Sequence, residues 1–224
     1  MIEKTMHRFT KYFHRMILLL FILVSAVDGL CQVSLGIGGG ITRFSLSGDV
    51  PDKAIYQPAY GKSFRLFTDF QLTPDILLSI QPGFSERGTD IAFDINRFQE
   101  PVDSIEIRLD YFSVPVVLKI RARESRFYII SGLEIGFLSD ASYKTSGSEM
   151  NVSEWLSSYD ANLHFGVGYG FPNTPSGLVF ELRYIQGLYN VIDKNVNDNA
   201  LQRSKSSGFE LIIGYRFNLG QTGK

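Results

Sequence analysis

Cysteine is almost missing from this chain: Cys31 is the single one in 224 residues. One thiol allows neither an internal disulfide nor a thiolate metal site. Histidine is nearly as scarce, and of His7, His14 and His164 the first two lie within the N-terminal 31 residues. HExxH, a Cys/His ligand cluster and a Gly-rich phosphate loop do not occur, so no cofactor or metal is expected. An excess of either charge is also lacking, with 22 Lys+Arg against 23 Asp+Glu. That balance argues against nucleic acid and against a polybasic membrane surface as partners. After residue 31 no apolar run approaches the ~20 residues of a membrane-spanning helix, and no long stretch carries a 3.6-residue apolar stripe.

The N-terminus has a pattern of its own. Lys4, Arg8, Lys11 and Arg15 precede the unbroken apolar run Ile17 to Val24, and Gly29 and Cys31 supply small residues before Gln32. A basic flank, a short apolar core and small residues describe a cleaved signal peptide over residues 1–31. Leu30 is not the small residue that lipid modification of Cys31 would want. Residues 32–224 then form one domain with a net charge of −3. An exported chain without helical spans is soluble, lipid-anchored or a β-barrel, because a closed barrel also satisfies every backbone group in lipid.

What is abundant points to strands: 18 Phe, 11 Tyr and 21 Gly, with many Val and Ile. Eight strands are expected near 32–43, 61–72, 76–87, 105–120, 126–138, 158–170, 178–188 and 207–219. Three connections are short: Thr73-Pro-Asp75, Ala122 to Ser125 and Phe171 to Gly177. The other four run to roughly 17–19 residues on this reading, which is unusual for loops in a compact domain. The alternating long and short order puts the long loops at one end, the habit of outer-membrane barrels.

The two faces of each strand differ in kind. In the last one Phe209, Leu211, Ile213, Tyr215 and Phe217 oppose Glu210, Ile212, Gly214 and Arg216. In the first, Val33, Leu35, Ile37 and Ile41 oppose Ser34, Gly36, Gly38, Gly40 and Thr42; in the sixth, Leu163, Phe165 and Val167 oppose Asp160, Asn162, His164 and Gly166. A face exposed to water seldom mixes glycine with isolated charges, because Gly weakens a strand. A narrow lumen wants that mixture, so the apolar face points outward into lipid. Candidate lumen residues are Arg65, Asp69, Glu134, Glu181, Arg183, Glu210 and Arg216, with His164. Lys119 joins them if the fourth strand keeps its phase past Phe112 to Pro115, where a bulge is suspected. Aromatic girdle candidates are Phe70, Phe84, Tyr111, Phe127, Tyr169, Tyr184, Tyr189, Tyr215 and Phe217. The expected fold is an all-β, eight-stranded antiparallel up-and-down transmembrane barrel with four long extracellular loops and three short periplasmic turns.

At the level of motifs, Leu109-Asp-Tyr-Phe-Ser-Val-Pro-Val-Val-Leu-Lys-Ile120 resembles the signature of the Bacteroidetes outer-membrane β-barrel family often labelled PorT-like. Gly36 to Gly40, Ser79 to Gly88, Phe127 to Gly132 and Glu181 to Leu188 are similar to its first, third, fifth and seventh strands. Phe112-Ser113 replaces the usual aliphatic-acidic pair, and residues follow Phe217 where many such proteins end on the aromatic. The resemblance implies the fold and an outer-membrane location, and little about activity.

Outer-membrane lipids are therefore the expected partners of a monomer, with envelope or secretion-complex proteins as candidates at the loops. A side-chain-plugged, non-enzymatic barrel is the first expectation. A narrow channel shares the fold. A membrane enzyme would need His164 at the outer rim beside a nucleophile and an orienting acid. A soluble lipid-binding barrel would turn the Leu/Phe face inward. Trp155 in the third long loop is a candidate contact, either with a partner or with the barrel rim. Asp193, Asn195, Asn197, Asp198 and Asn199 form a loose cation-ligand set without EF-hand spacing.

Overall fold

The lipid-facing pattern closes into a ring. In a computed structural model of the chain the described residues are 33–48, 54–93, 105–121, 125–145, 148–153, 156–170, 176–191 and 204–218. The leader, Trp155 and the Asp193 to Asn199 set lie outside them. The strands are β1 Val33–Gly48, β2 Ala54–Thr73, β3 Ile76–Ile80, β4 Gly83–Phe93, β5 Ile105–Arg121, β6 Phe127–Thr145, β7 Ser148–Asn151, β8 Tyr159–Tyr169, β9 Ser176–Gly187 and β10 Ser204–Asn218. Each pairing is antiparallel, and β10 pairs with β1 from Ser34↔Asn218 to Gly48↔Ser204, which closes the barrel. β3 and β4 are two halves of one barrel strand, since both lie between β2 and β5. The ring therefore has eight strands, with β7 folded against the far end of β6.

The expected third strand breaks at Gln81-Pro82, where proline removes a ladder donor. Two bonds carry the ladder across: Leu66 N–H donates to the Pro82 carbonyl and Gln81 N–H to the Pro115 carbonyl, both at 2.9 Å. A residue in an antiparallel strand aims its N–H and C=O to the same side. The missing N–H of Pro115 therefore falls at this break, where little is lost. No phase change occurs there. Leu109, Tyr111, Ser113, Pro115, Val117 and Lys119 are all buried in strict alternation. The suspected bulge belongs to the partner strand: Asp110 faces Asp140 and Tyr111 faces Leu138, so Ser139 is the extra residue.

Several strands run further than expected at the long-loop end. The β1–β2 hairpin extends to Gly48 and resumes at Ala54, β4 reaches Phe93, and β6 reaches Thr145. The physical reason is an inversion of polarity along the barrel. From Phe209 to Phe217 the outward residues of β10 are apolar, and these nine residues match the ~9–11 with which a tilted strand crosses a bilayer. Beyond them Ser207 and Lys205 face outward. In the same zone Arg43 and Ser47 face out while Phe44 and Leu46 turn in. Leu46, Leu109, Tyr111, Ala141, Val152 and Val191 form an apolar cluster there. This end is built like a barrel in water, so strand continues where the lipid-facing pattern stops.

A second apolar cluster, Leu77, Val117, Tyr128, Ile130 and Val179, fills the end nearest the short turns. One girdle candidate is thereby corrected: Tyr111 is buried inside, where its parity along β5 makes it filling. Phe70 is buried as well but keeps the outward parity of Phe64 and Leu66 on β2, whereas Phe84, Phe127, Tyr169, Tyr184, Tyr189, Tyr215 and Phe217 are exposed on the outer wall. The lumen glycines have a steric cause. A Cβ on Gly38 or Gly214 would come within 2.8 or 2.7 Å of the Phe67 ring, which lies across the lumen against both.

Ile213 sits at the middle of the outer band. Replacing it with Arg is expected to cost about 2–4 kcal/mol of folding free energy in vesicles, measured by urea unfolding, whereas Lys205→Ala above the band should change it by less than about 0.5 kcal/mol.

Candidate functional site

Between the two apolar clusters the lumen is charged. The five acids Asp69, Glu134, Asp160, Glu181 and Glu210 and the five bases Arg65, Arg87, Lys119, Arg183 and Arg216 are buried there, together with His164. Each projects inward because it holds the lumen parity of its strand, opposite the apolar outward residues. With His164 neutral the set carries no net charge. An eight-stranded barrel is wide enough for side chains to fill and little more, so these groups meet one another and not bulk water.

The network has two lobes. Toward the short turns, Arg216 Nη1 lies 3.0 Å from Asp69 Oδ2. Lys119 Nζ bridges Asp69 Oδ1 at 3.3 Å and Glu181 Oε1 at 3.0 Å. Glu181 also pairs with Arg183 and accepts a 2.7 Å bond from the Tyr128 hydroxyl. Ser79 donates to Asp69, Gln81 to Ser79, and Arg183 to Gln81. Arg216 donates as well to the carbonyl of Gly170, whose φ of +107° turns the β8–β9 connection.

In the other lobe Arg65 holds two carboxylates, Glu210 at 3.1 Å and Glu134 at 3.3 Å, and donates to Ser113 Oγ at 2.8 Å. Arg87 pairs with Glu134 and lies 3.3 Å from Asp160. Asn162 Nδ2 donates to Glu134 at 3.1 Å. The first lobe has one more base than acid, the second one more acid than base. Glu210 and Arg183 are directly opposed on β10 and β9 and join the two. Both apolar clusters are tied in through rings: the Arg87 guanidinium lies 5.0 Å from the centroid of Tyr111 in the first and Lys119 Nζ 5.8 Å from that of Tyr128 in the second, while Phe44 at 5.0 Å and Phe67 at 5.3 Å face the same two cations. A cation over an aromatic face is attracted most strongly where water is excluded.

All nine expected lumen residues thus lie inside, Lys119 included. Besides the hydroxyls of Ser79, Ser113 and Tyr128, four members of the network were not among them. Asp160 and Asn162 share the polar face of β8 with His164, so their parity carried the signal. Arg87 and Gln81 lie beside or beyond the Gln81-Pro82 break. Counting Gly83, Ser85, Arg87 and Thr89 as one inward face would have found Arg87. His164 is fully buried in mid-lumen, with Nε2 3.3 Å from Glu134 Oε2 but without the alignment of a hydrogen bond. A rim position for a catalytic histidine is therefore corrected. Among the described residues no group of His, Cys, Asp or Glu is placed to hold a metal ion.

The family model for the outer membrane protein beta-barrel domain matches residues 29–193. The chain belongs to this family. It is an outer-membrane β-barrel protein. Similar solved structures include Neisserial surface protein A, with 14% identity, 83% of this chain and 97% of that chain covered and a TM-score of 0.49. They also include the Yersinia pestis attachment invasion locus protein in complex with a heparin analogue, with 17% identity, 83% and 99% covered and a TM-score of 0.43. The outer membrane protein OprG of Pseudomonas aeruginosa has 11% identity, 85% and 97% covered and a TM-score of 0.42. No curated protein matches the chain.

Glu134 faces Arg65, Arg87 and His164 at once, so its loss leaves Arg65 only Glu210 and Arg87 only Asp160, with five buried bases against four acids. Glu134→Gln is expected to destabilise the barrel by about 3–5 kcal/mol in vesicle unfolding. Adding Arg87→Met should return part of that loss, giving a coupling of about 1–3 kcal/mol in the double-mutant cycle.

Proposed function

We propose that the chain is a non-enzymatic outer-membrane barrel with a closed lumen, working through its outer rim and loops in envelope integrity, adhesion or docking. The observation that carries this reading is the neutral lumen network between two apolar clusters. A pore for ions would be expected to keep charge in contact with water. Instead Arg65, Arg87, Glu134, Glu181, Arg183 and Glu210 have fully buried side chains, and five bases face five acids. His164 is fully buried, which supports a role without catalysis. The motif at Leu109 to Ile120 supports a place near the PorT-like barrels of Bacteroidetes, and with it association with a secretion complex as one form of docking. A cleaved leader over residues 1–31 belongs to the same reading, with the long connections outside the cell and a monomeric barrel in the membrane.

A narrow channel is the second reading. It is favoured by one observation: Arg183 Nε and Nη1, Arg87 Nε and both His164 nitrogens have no hydrogen-bond partner among the described residues. Internal water would satisfy such groups, and a continuous file of it would conduct. Purified barrel reconstituted in planar bilayers separates the two. The closed barrel is expected to give no unitary current above leak. Reproducible openings would establish the channel instead, and they should grow when Arg87→Ala opens the lumen.

A further inference from the structure

The outer wall changes character along one line. Arg43, Lys62, Glu86, Asp110 and Asp140 are the outward residues that follow the apolar band on β1, β2, β4, β5 and β6. This is the level of the lipid headgroups. On that line a cavity of about 330 Å³ opens in the wall across β2, β4, β5 and β6. Phe64 and Phe84 bound it on the lipid side, and Lys62, Glu86, Asp110 and Ser139 on the other. Phe84 packs edge-on against Phe112 at 5.2 Å, which fixes the aromatic edge. The strand row beneath, Ser63↔Ser85 and Ser85↔Tyr111, turns its side chains inward and leaves space outside.

Two irregularities flank the cavity. The β2–β4 register shifts between Pro58 and Ser63, and Ser139 is the extra residue of the β5–β6 pair. Bulges bend a strand and re-aim its side chains. At the first, Glu86 accepts the Lys62 backbone N–H at 3.0 Å and its own carbonyl takes the Thr42 hydroxyl at 2.6 Å, so the Glu86 side chain is held in place. Asp110 has no ion-pair partner among the described residues. Burial, then the charges of Glu86 and Asp140, hold its carboxyl above the ordinary range.

We infer that this cavity binds the headgroup of an aminophospholipid from the surrounding membrane. Its ammonium would donate to Asp110 and Glu86, its phosphate would accept from Lys62, and its acyl chains would lie over Phe64 and Phe84. The charge pattern selects this occupant. Two carboxylates and one ammonium leave the cavity net negative, which a zwitterionic headgroup answers in both parts. A purely anionic lipid answers only Lys62. A quaternary choline brings no N–H to the carboxylates, and charge-assisted hydrogen bonds are the stronger kind. A bridging divalent ion is disfavoured, since no metal-holding group of carboxylates is formed among the described residues.

The test is native mass spectrometry of the full barrel, equilibrated in mixed micelles with phosphatidylethanolamine, phosphatidylcholine or phosphatidylglycerol. The wild type is expected to retain one phosphatidylethanolamine with about a tenfold preference over either other lipid, near 1.4 kcal/mol. The double variant Glu86→Gln/Asp110→Asn should reduce that preference to below about twofold, while Asp75→Asn at the opposite end leaves it intact. Folding of each variant is checked by its resistance to dodecyl sulfate without heating. If the double variant does not fold, Lys62→Ala reads the same site, with a loss of phosphatidylethanolamine retention expected. A wild type without preference, one that prefers phosphatidylglycerol, or a folded variant that keeps the wild-type preference would overturn the assignment.

Discussion

Charge buried in the lumen must be paired, and the rest of the barrel is arranged around that requirement. An ion moved into a low-dielectric interior loses several kcal/mol of solvation even after relaxation. Eight strands leave no room for bulk water to restore it. Arg65, Arg87, Lys119, Arg183 and Arg216 can therefore be held inside only if acids of equal number reach them, as Asp69, Glu134, Asp160, Glu181 and Glu210 do. Because these partners come from seven of the eight barrel strands, most of the ion pairs also fix the relative register of strands far apart in sequence. Arg65 on β2 meeting Glu210 on β10 and Glu134 on β6 is the clearest case.

The glycines follow from the same crowding. Long side chains crossing a narrow lumen need a flat wall to lie against, and Gly36, Gly38 and Gly214 provide it for Phe67. What looks in sequence like a weak, glycine-rich strand is one half of a packing arrangement whose other half is aromatic or basic. The two apolar clusters then complete the seal. Each stands between the network and one end of the barrel, and the rings of Phe44, Tyr111 and Phe67 lie over cations of the network itself.

The barrel and its inward face were legible in the sequence wherever a strand crosses the lipid band, because there the outer face is apolar apart from scattered small residues such as Ser131 and Thr68. Phe209 to Phe217 reads correctly from its alternation alone. Legibility fails where polarity inverts. Phe44 and Leu46 turn inward just as Arg43 and Ser45 turn out, so a reader following apolar-outward residues ends β1 too early and takes hairpin for loop. Arg87 was lost for a related reason, lying past the proline break of its strand. Tyr111, expected in the girdle as an aromatic near a strand end, is turned inward by its parity on β5, and the bulge suspected in that strand is absent from it. The irregularity sits across the pair at Ser139, and nothing in the sequence of β5 reveals a bulge carried by its partner. The outer-wall cavity was invisible for the same cause, since it depends on two bulges in strands that are not neighbours in the chain.

Three zones along one strand make the account testable in a single series. Cysteines placed singly on β10 and spin-labelled in vesicles would be read for contact with oxygen dissolved in lipid and with a water-soluble nickel complex. Labels at Leu211, Ile213 and Tyr215 should respond to oxygen, those at Lys205 and Ser207 to nickel, and those at Ser206 and Ile212 to neither. Nickel reaching position 212, or positions 211 to 215, would contradict a sealed charged lumen inside a lipid-facing wall.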